Sequence, residues 1–289
     1  MTEQTTTHAM GGTAEDTTVW WGVFTMEEGA GGCWEIGPSR LWIHRLAREW
    51  RLVHTQEPDA LAGGVRLRVP LPPAEAQEAL DEVPPGAAHL RFSAAHTEAR
   101  IRLWPELADR PVVVRPETAL YVLEGEDVTL YVSTPLWIRF EEGKAGRFLH
   151  ERPTFRPSDT WFGASTREGE LCYATRTAGR LRLEDLPQRS YRAVTPILLR
   201  NRADDPWLVE RIQLPVAYLA LYHDGTGGLW TPAVTLEREA GGHLAGLHVE
   251  NGAPADAPAA TLLRPPRLTS RTSLIGRTFS TLFSKIREV

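Results

Sequence analysis

From residue 19 onward, apolar and polar positions alternate in short runs separated by turn-forming residues. Residues 40–45 and 49–54 flank Leu46-Ala47-Arg48, which predicts a hairpin with a short loop following the Gly37-Pro38 turn. Residues 65–69 and 99–104 alternate strictly, so each predicts a strand with one wet face that carries its arginines. Residues 73–83 hold Ala, Glu, Gln and Leu between prolines and predict a short helix. After Asp109, apolar runs at 111–114, 119–123, 128–132 and 136–140 come at short intervals, with Glu124-Gly125-Glu126-Asp127 as a turn; such spacing suggests a sandwich or barrel. Further strands are expected at 160–162, 170–175, 193–200, 207–214, 218–222, 229–237 and 244–249, and 201–206 is expected to join two antiparallel strands.

The fold class that follows is all-β, with antiparallel β-sandwich-like regions, a short helix and an amphipathic C-terminal helix. The expected organisation is a disordered lead-in at 1–17, an N-terminal β region at 18–109 and a sandwich-like region at 110–250. A linker at 251–268, whose stretch 251–260 is rich in Ala and Pro, then leads to a basic helix at 269–289.

Composition narrows the function classes. Ten Trp in 289 residues, spread along the chain, suit core packing. A formal charge of −5 gives no general attraction to nucleic acid or anionic lipid, so a contact of that kind needs a local patch; no nucleic-acid partner is expected. Lys144 and Lys285 are the two lysines among 32 basic residues, an arginine bias that with the Ala, Gly and Pro load suggests a GC-rich bacterial genome. Cys33 and Cys172 form no C-x-x-C pair and are expected to be buried thiols. Residues 1–16 lack a basic start and an apolar run, and no window reaches the roughly 18 apolar residues of a spanning helix, so a cytoplasmic protein, peripheral to the inner membrane at most, is expected.

No local signature of catalysis is complete. Gly163-Ala164-Ser165-Thr166 begins like a nucleophile elbow and lacks its final glycine, so Ser165 is expected in a polar turn. Cys172 sits in an alternating strand, where packing is its expected role. His243 and His248 are five apart, which along a strand puts them on opposite faces, and His248-Val249-Glu250 matches half a deaminase signature with no P-C-x-x-C after it. The adjacent pairs Glu27-Glu28, Asp81-Glu82, Glu141-Glu142 and Asp204-Asp205 are expected in solvated turns, since acid/base work on a glycoside needs two carboxyls held across a cleft. Neither 142–147 nor 224–228 matches a phosphate-binding loop, and both are expected to be turns. The protein is therefore expected not to be an enzyme, with no catalytic, metal or cofactor-binding residues and no cofactor.

Four stretches carry a resemblance: RPVVVRPETALYVLEGEDVTLYVSTPLWIRF at 110–140, TWFGASTREGELCYATR at 160–176, VTPILLRN at 194–201 and WLVERIQLPVAYLALY at 207–222. Together they resemble a prokaryotic family known as domain of unknown function 432, and residues 33–52, with Ile36-Gly37-Pro38 and Glu49-Trp50-Arg51, fit it more loosely. The likeness spans residues 18–250 and leaves out the tail after Ala260. It implies a β fold and no activity. Through the family's gene neighbourhoods it implies a membrane-protein partner, a mechanosensitive channel being the one they suggest.

The tail carries a pattern of its own. Leu274, Ile275, Phe279, Leu282, Phe283 and Ile286 recur at spacings of three and four, which on a helix makes one apolar stripe beside Arg277 and Lys285. Residues 264–289 carry a formal +5, leaving −10 on the rest of the chain. Cations beside an apolar stripe suit a membrane-protein partner, an anionic membrane surface or the protein's own β body. The function expected is a binding or accessory protein docking through this segment. The alternative is a carbohydrate-binding or carbohydrate-active β protein, and its discriminator is two or more Trp on one open platform beside paired carboxylates.

Overall fold

The computed structural model describes residues 19–163, 165, 167–240 and 245–269. The expected C-terminal helix lies outside the described residues from position 270 on, as does His243. The described chain divides into two compact units, each made of two stretches: 19–106 with 136–156, and 107–135 with 157–269. The first stretch holds β1 (Gly22–Thr25), β2 (Gly31–Ile36), β3 (Ser39–Leu46), β4 (Glu49–Gln56), β5 (Val65–Leu71), α1 (Pro73–Asp81), β6 (Ala88–Ser93) and β7 (Arg100–Glu106). Then come β8 (Val112–Val114), β9 (Leu120–Val122), β10 (Asp127–Pro135), β11 (Trp137–Glu142) and β12 (Arg147–Pro153). The remainder holds β13 (Ser158–Phe162), β14 (Glu170–Ala174), β15 (Arg192–Asn201), β16 (Trp207–Val209), β17 (Ile212–Leu214), β18 (Leu221–His223), β19 (Leu229–Trp230), β20 (Val234–Arg238), β21 (Ala245–Val249) and β22 (Thr261–Arg264).

The first unit has a five-stranded antiparallel sheet, β5-β2-β3-β4-β6, and a four-stranded one, β1-β7-β11-β12. The predicted β3–β4 hairpin is present, with a turn of two residues, Ala47 and Arg48, because Leu46 pairs with Glu49 and so belongs to the strand. Because side chains alternate along each strand, one face of the larger sheet collects Trp34, Leu41, Ile43 and Leu52, all essentially buried. Phe24 of the smaller sheet meets Trp34 edge-to-face at 5.2 Å. The opposite face gathers Cys33, Trp42 and Leu71 against Ala76 and Ala79 of α1. Gly31 lets the helix approach, since a Cβ there would lie 2.8 Å from the Ile43 carbonyl oxygen and 3.0 Å from the Ala76 Cβ.

The second unit is built on β15. It pairs β10 antiparallel over nine residues and takes β19 and β20 in parallel on its other edge, giving a seven-stranded mixed sheet. A four-stranded sheet, β13-β14-β8-β17, contains the parallel pair β14 and β8, and β9 and β16 form a separate ribbon. Most pairings of the molecule are antiparallel.

Several expectations need correction. The run 207–214 is two strands, because β16 pairs β9 while β17 pairs β8. For the same reason, 201–206 joins β15 to a strand it does not pair with. The run 229–237 is interrupted at Thr231–Ala233, where Pro232 lacks an amide to donate. Residues 216–218 form a 3-10 turn ahead of β18. The stretch expected as a linker is packed: Asp256 accepts the Tyr131 hydroxyl at 2.8 Å, Ala257 is buried with Leu186, Val194 and Trp230, and β22 adds to β18. Its Ala and Pro content suits small apolar contacts as well as it suits a linker.

Candidate functional site

In the first unit β11 returns to pair β7, which brings Glu142 under Trp50. The Trp50 indole N–H donates to Glu142 Oε1 at 3.0 Å, the Glu98 amide donates to the same oxygen at 2.9 Å, and Arg147 pairs with Oε2. Burial alone would raise the Glu142 carboxyl, but these hydrogen bonds outweigh it and hold the group below its ordinary range. Glu141 and Glu142 are 8% and 2% exposed, not a solvated turn as expected: Glu142 takes the buried Trp50 indole, and Glu141 accepts from Arg139 Nε of its own strand at 2.7 Å. Both carboxylates are committed to structure.

On the outer face of the same unit, Arg51, Val53, His89, Leu90 and Arg91 line a shallow groove. Glu49 accepts from Arg51 Nε at 2.7 Å and Arg91 Nε at 2.8 Å, and hydrogen bonds from Arg91 and Arg51 keep it ionised below its ordinary range. The groove's two guanidinium groups thus share one carboxylate. His150 lies between Phe92 and Phe140 at 6.0 and 6.3 Å, and burial lowers its pKa.

The sequence candidates of the second unit fall on the β13–β14 loop, on β14 and on β21. Ser165 Oγ accepts from the amides of Arg167 and Glu168 at 3.2 and 3.1 Å, the geometry of a turn-forming serine. Cys172 is fully buried with Val113 and Phe162, its sulfur accepting from Gln213 Nε2 at 3.4 Å, and burial pushes its thiol to about 11. Cys33 is likewise buried and pushed to about 11. His248 is an exposed residue of β21, 3.9 Å from Glu250. Residues 143–146 and 224–228 are turns, the latter drawn together by Asp224, which accepts from Thr226, Gly228 and Trp230. Among the described residues no three His, Cys, Asp or Glu side chains stand together as metal ligands would.

The second unit does present a surface the sequence reading missed. The β13–β14 hairpin places Trp161 opposite Leu171 and Asp159 opposite Tyr173. Trp161 and Leu171 are 45% and 43% exposed. The Trp161 indole N–H donates to the Ser165 carbonyl at 2.8 Å, and a Cβ on Gly169 would lie 2.6 Å from the indole nitrogen, so the ring rests against that glycine's backbone. Arg110 stacks over the Tyr173 ring at 5.3 Å and pairs with Asp159, while the Tyr173 hydroxyl donates to Asp109 at 3.0 Å. Period-two alternation through Asp159-Thr160-Trp161 and Leu171-Cys172-Tyr173 is the signal that could have found it, once the two runs are paired across the 163–169 loop.

The last described residues are held at two points: Arg267 Nε donates to the Leu107 carbonyl at 2.6 Å and the Leu268 amide donates to the Ala217 carbonyl at 2.9 Å. Leu274, Ile275, Arg277, Phe279, Leu282, Phe283, Lys285 and Ile286, the residues singled out for docking, lie outside the described residues.

A family model described as "Protein of unknown function (DUF432)" matches residues 20–284. The chain belongs to the DUF432 family. No curated protein and no solved structure matches it. The match corrects the limits set by the sequence motifs, because it continues past Ala260 and takes in the apolar stripe as far as Phe283. The DUF432 domain thus includes most of the tail. Among the described residues no helix is long and apolar enough to cross a membrane.

Proposed function

We propose that this DUF432 protein is a non-catalytic binding or accessory protein that docks, through an amphipathic helix at 269–289, on the cytoplasmic face of a membrane-protein partner such as a mechanosensitive channel. The observation that carries the reading is the anchored start of the tail. Arg267 and Leu268 are hydrogen-bonded to Leu107 and Ala217, so the chain is fixed just ahead of the basic, apolar-striped segment. A fixed origin raises the effective concentration of the segment near whatever the body approaches. Ser165 is held in a turn and Cys172 in the core, which supports a surface-acting protein over an enzyme that would use them.

The carbohydrate reading is less well supported. Trp161 is the one exposed indole of the ten, and Glu141-Glu142 is buried and committed.

The test uses the full chain with Leu282→Asp and Phe283→Asp together. Wild type is expected to co-sediment with native membranes and to bind protein-free vesicles of neutral and anionic lipid weakly, whereas the double variant stays in the supernatant with an unchanged circular dichroism spectrum. Co-sedimentation of the variant at the wild-type level refutes the proposal, and equal binding to protein-free anionic vesicles replaces the protein partner with the lipid surface.

A further inference from the structure

We infer that the tail has a resting place on this same chain: segment 270–289 covers the Trp161–Leu171 face of the β13–β14 hairpin when no partner holds it. The inference extends the docking role proposed above, and the measurements below separate the two.

Three observations converge on that occupant. The first is the face itself. Trp161 and Leu171 stand side by side and nearly half exposed, and the indole is already fixed by the Ser165 carbonyl and the Gly169 backbone. A rigid exposed Trp next to Leu, with a Tyr–Arg stack one register away, has the composition of an interface hot spot and loses little freedom when covered.

The second is where the tail starts. Arg267 is bonded to Leu107, two residues before Asp109, and Asp109 takes the Tyr173 hydroxyl. Consecutive Cα atoms are about 3.8 Å apart and strand residues rise about 3.3 Å each, so the step from Leu107 by way of Asp109 and Tyr173 to Leu171 is on the order of 20 Å. The twenty residues after Thr269 would span about 30 Å as a helix, which is long enough to reach the face and lie along it.

The third is complementarity. Asp159 lies two residues before Trp161 on β13, Asp109 takes the Tyr173 hydroxyl and Glu168 lies in the hairpin loop; all three are exposed, and Arg110 is shared between the two aspartates, while the tail brings Arg271, Arg277, Lys285 and Arg287 against one acid, Glu288. The family match running to residue 284 treats stripe and hairpin as parts of one domain.

The experiment is cross-linking in the full chain. Leu171→Cys is combined in turn with Phe279→Cys or Leu282→Cys on the stripe, and with Ser280→Cys or Ser284→Cys off it; the native thiols are buried and stay silent. A short bis-maleimide is expected to give an intramolecular product several-fold faster at the stripe positions than off it. No intramolecular product, equal rates at all four positions, or a covalent dimer overturns the inference. A second readout does not rely on Leu171: in 5-fluorotryptophan-labelled protein, the Trp161 resonance, assigned by its loss in Trp161→Phe, should shift and become more accessible to a soluble paramagnetic agent in the Leu282→Asp/Phe283→Asp chain. An unchanged resonance also overturns it. Cross-linking with undiminished membrane binding by that double variant would leave this inference standing and refute the partner role; membrane binding that needs the stripe, without cross-linking, would do the reverse.

Discussion

Replacing Glu142 by Gln tests whether the buried carboxylate is the clasp that joins the two sheets of the first unit. The carboxylate takes the Trp50 indole and the Glu98 amide on one oxygen and Arg147 on the other. Hydrogen bonds to a charged group contribute about 1.5–3 kcal/mol each, against about 0.5–1.5 kcal/mol for neutral ones, so neutralising Glu142 should cost about 1 kcal/mol at each of the two buried bonds. The Arg147 side chain is 58% exposed and can turn to water, so its ion pair adds less than about 1 kcal/mol. The expected loss is about 2–3 kcal/mol at pH 7, read by urea denaturation followed through Trp fluorescence, with Arg147→Ala costing about 1 kcal/mol or less. The acid limb gives a second check. Because the folded-state pKa lies below the ordinary 4.5, the charged form's contribution is present above that value and is lost as pH falls through the lower folded value. The gap between wild type and Glu142→Gln should therefore narrow below about pH 4.5. A Gln variant within 0.5 kcal/mol of wild type, or a gap that widens in acid, would refute the clasp.

The thiols should be silent in the native protein: burial pushes Cys33 and Cys172 to about 11, so a thiol-reactive disulfide at pH 8 should titrate two groups only after denaturation, and fast reaction of either in the native state would contradict the packing. Gly31→Ala should lower stability by about 1–3 kcal/mol, because its Cβ would press on the Ile43 carbonyl oxygen and on α1, whereas Gly64→Ala, which meets nothing within 4 Å, should stay within about 0.5 kcal/mol of wild type. Calorimetry of the pair decides it, and equal effects would refute the close helix approach.

Local rules sufficed for the elements whose cause is local. The β3–β4 hairpin follows from alternation around a short loop, α1 from helix formers behind Pro72 and Pro73, and the turns at 143–146 and 224–228 from their glycines and Asp224, because each depends on residues within one or two turns of chain. What the chain could not declare by itself is which strand lies beside which. Cross-strand pairing is a sum of weak contacts between distant residues, and a period-two pattern is equally content with any partner that covers its apolar face. That choice sends β11 to β7, turning Glu141-Glu142 from an apparent wet turn into a buried clasp. It lays β19 and β20 parallel to β15, divides 207–214 between two sheets, and packs Asp256 and Ala257 where composition suggested a linker. The exposure of Trp161 has the same origin. Alternation sets it on the face opposite Phe162, but only the pairing of β13 with β14 and of β14 with β8 buries Phe162 and leaves Trp161 facing water, because burial depends on the surrounding strands as well as on the side chain's own identity.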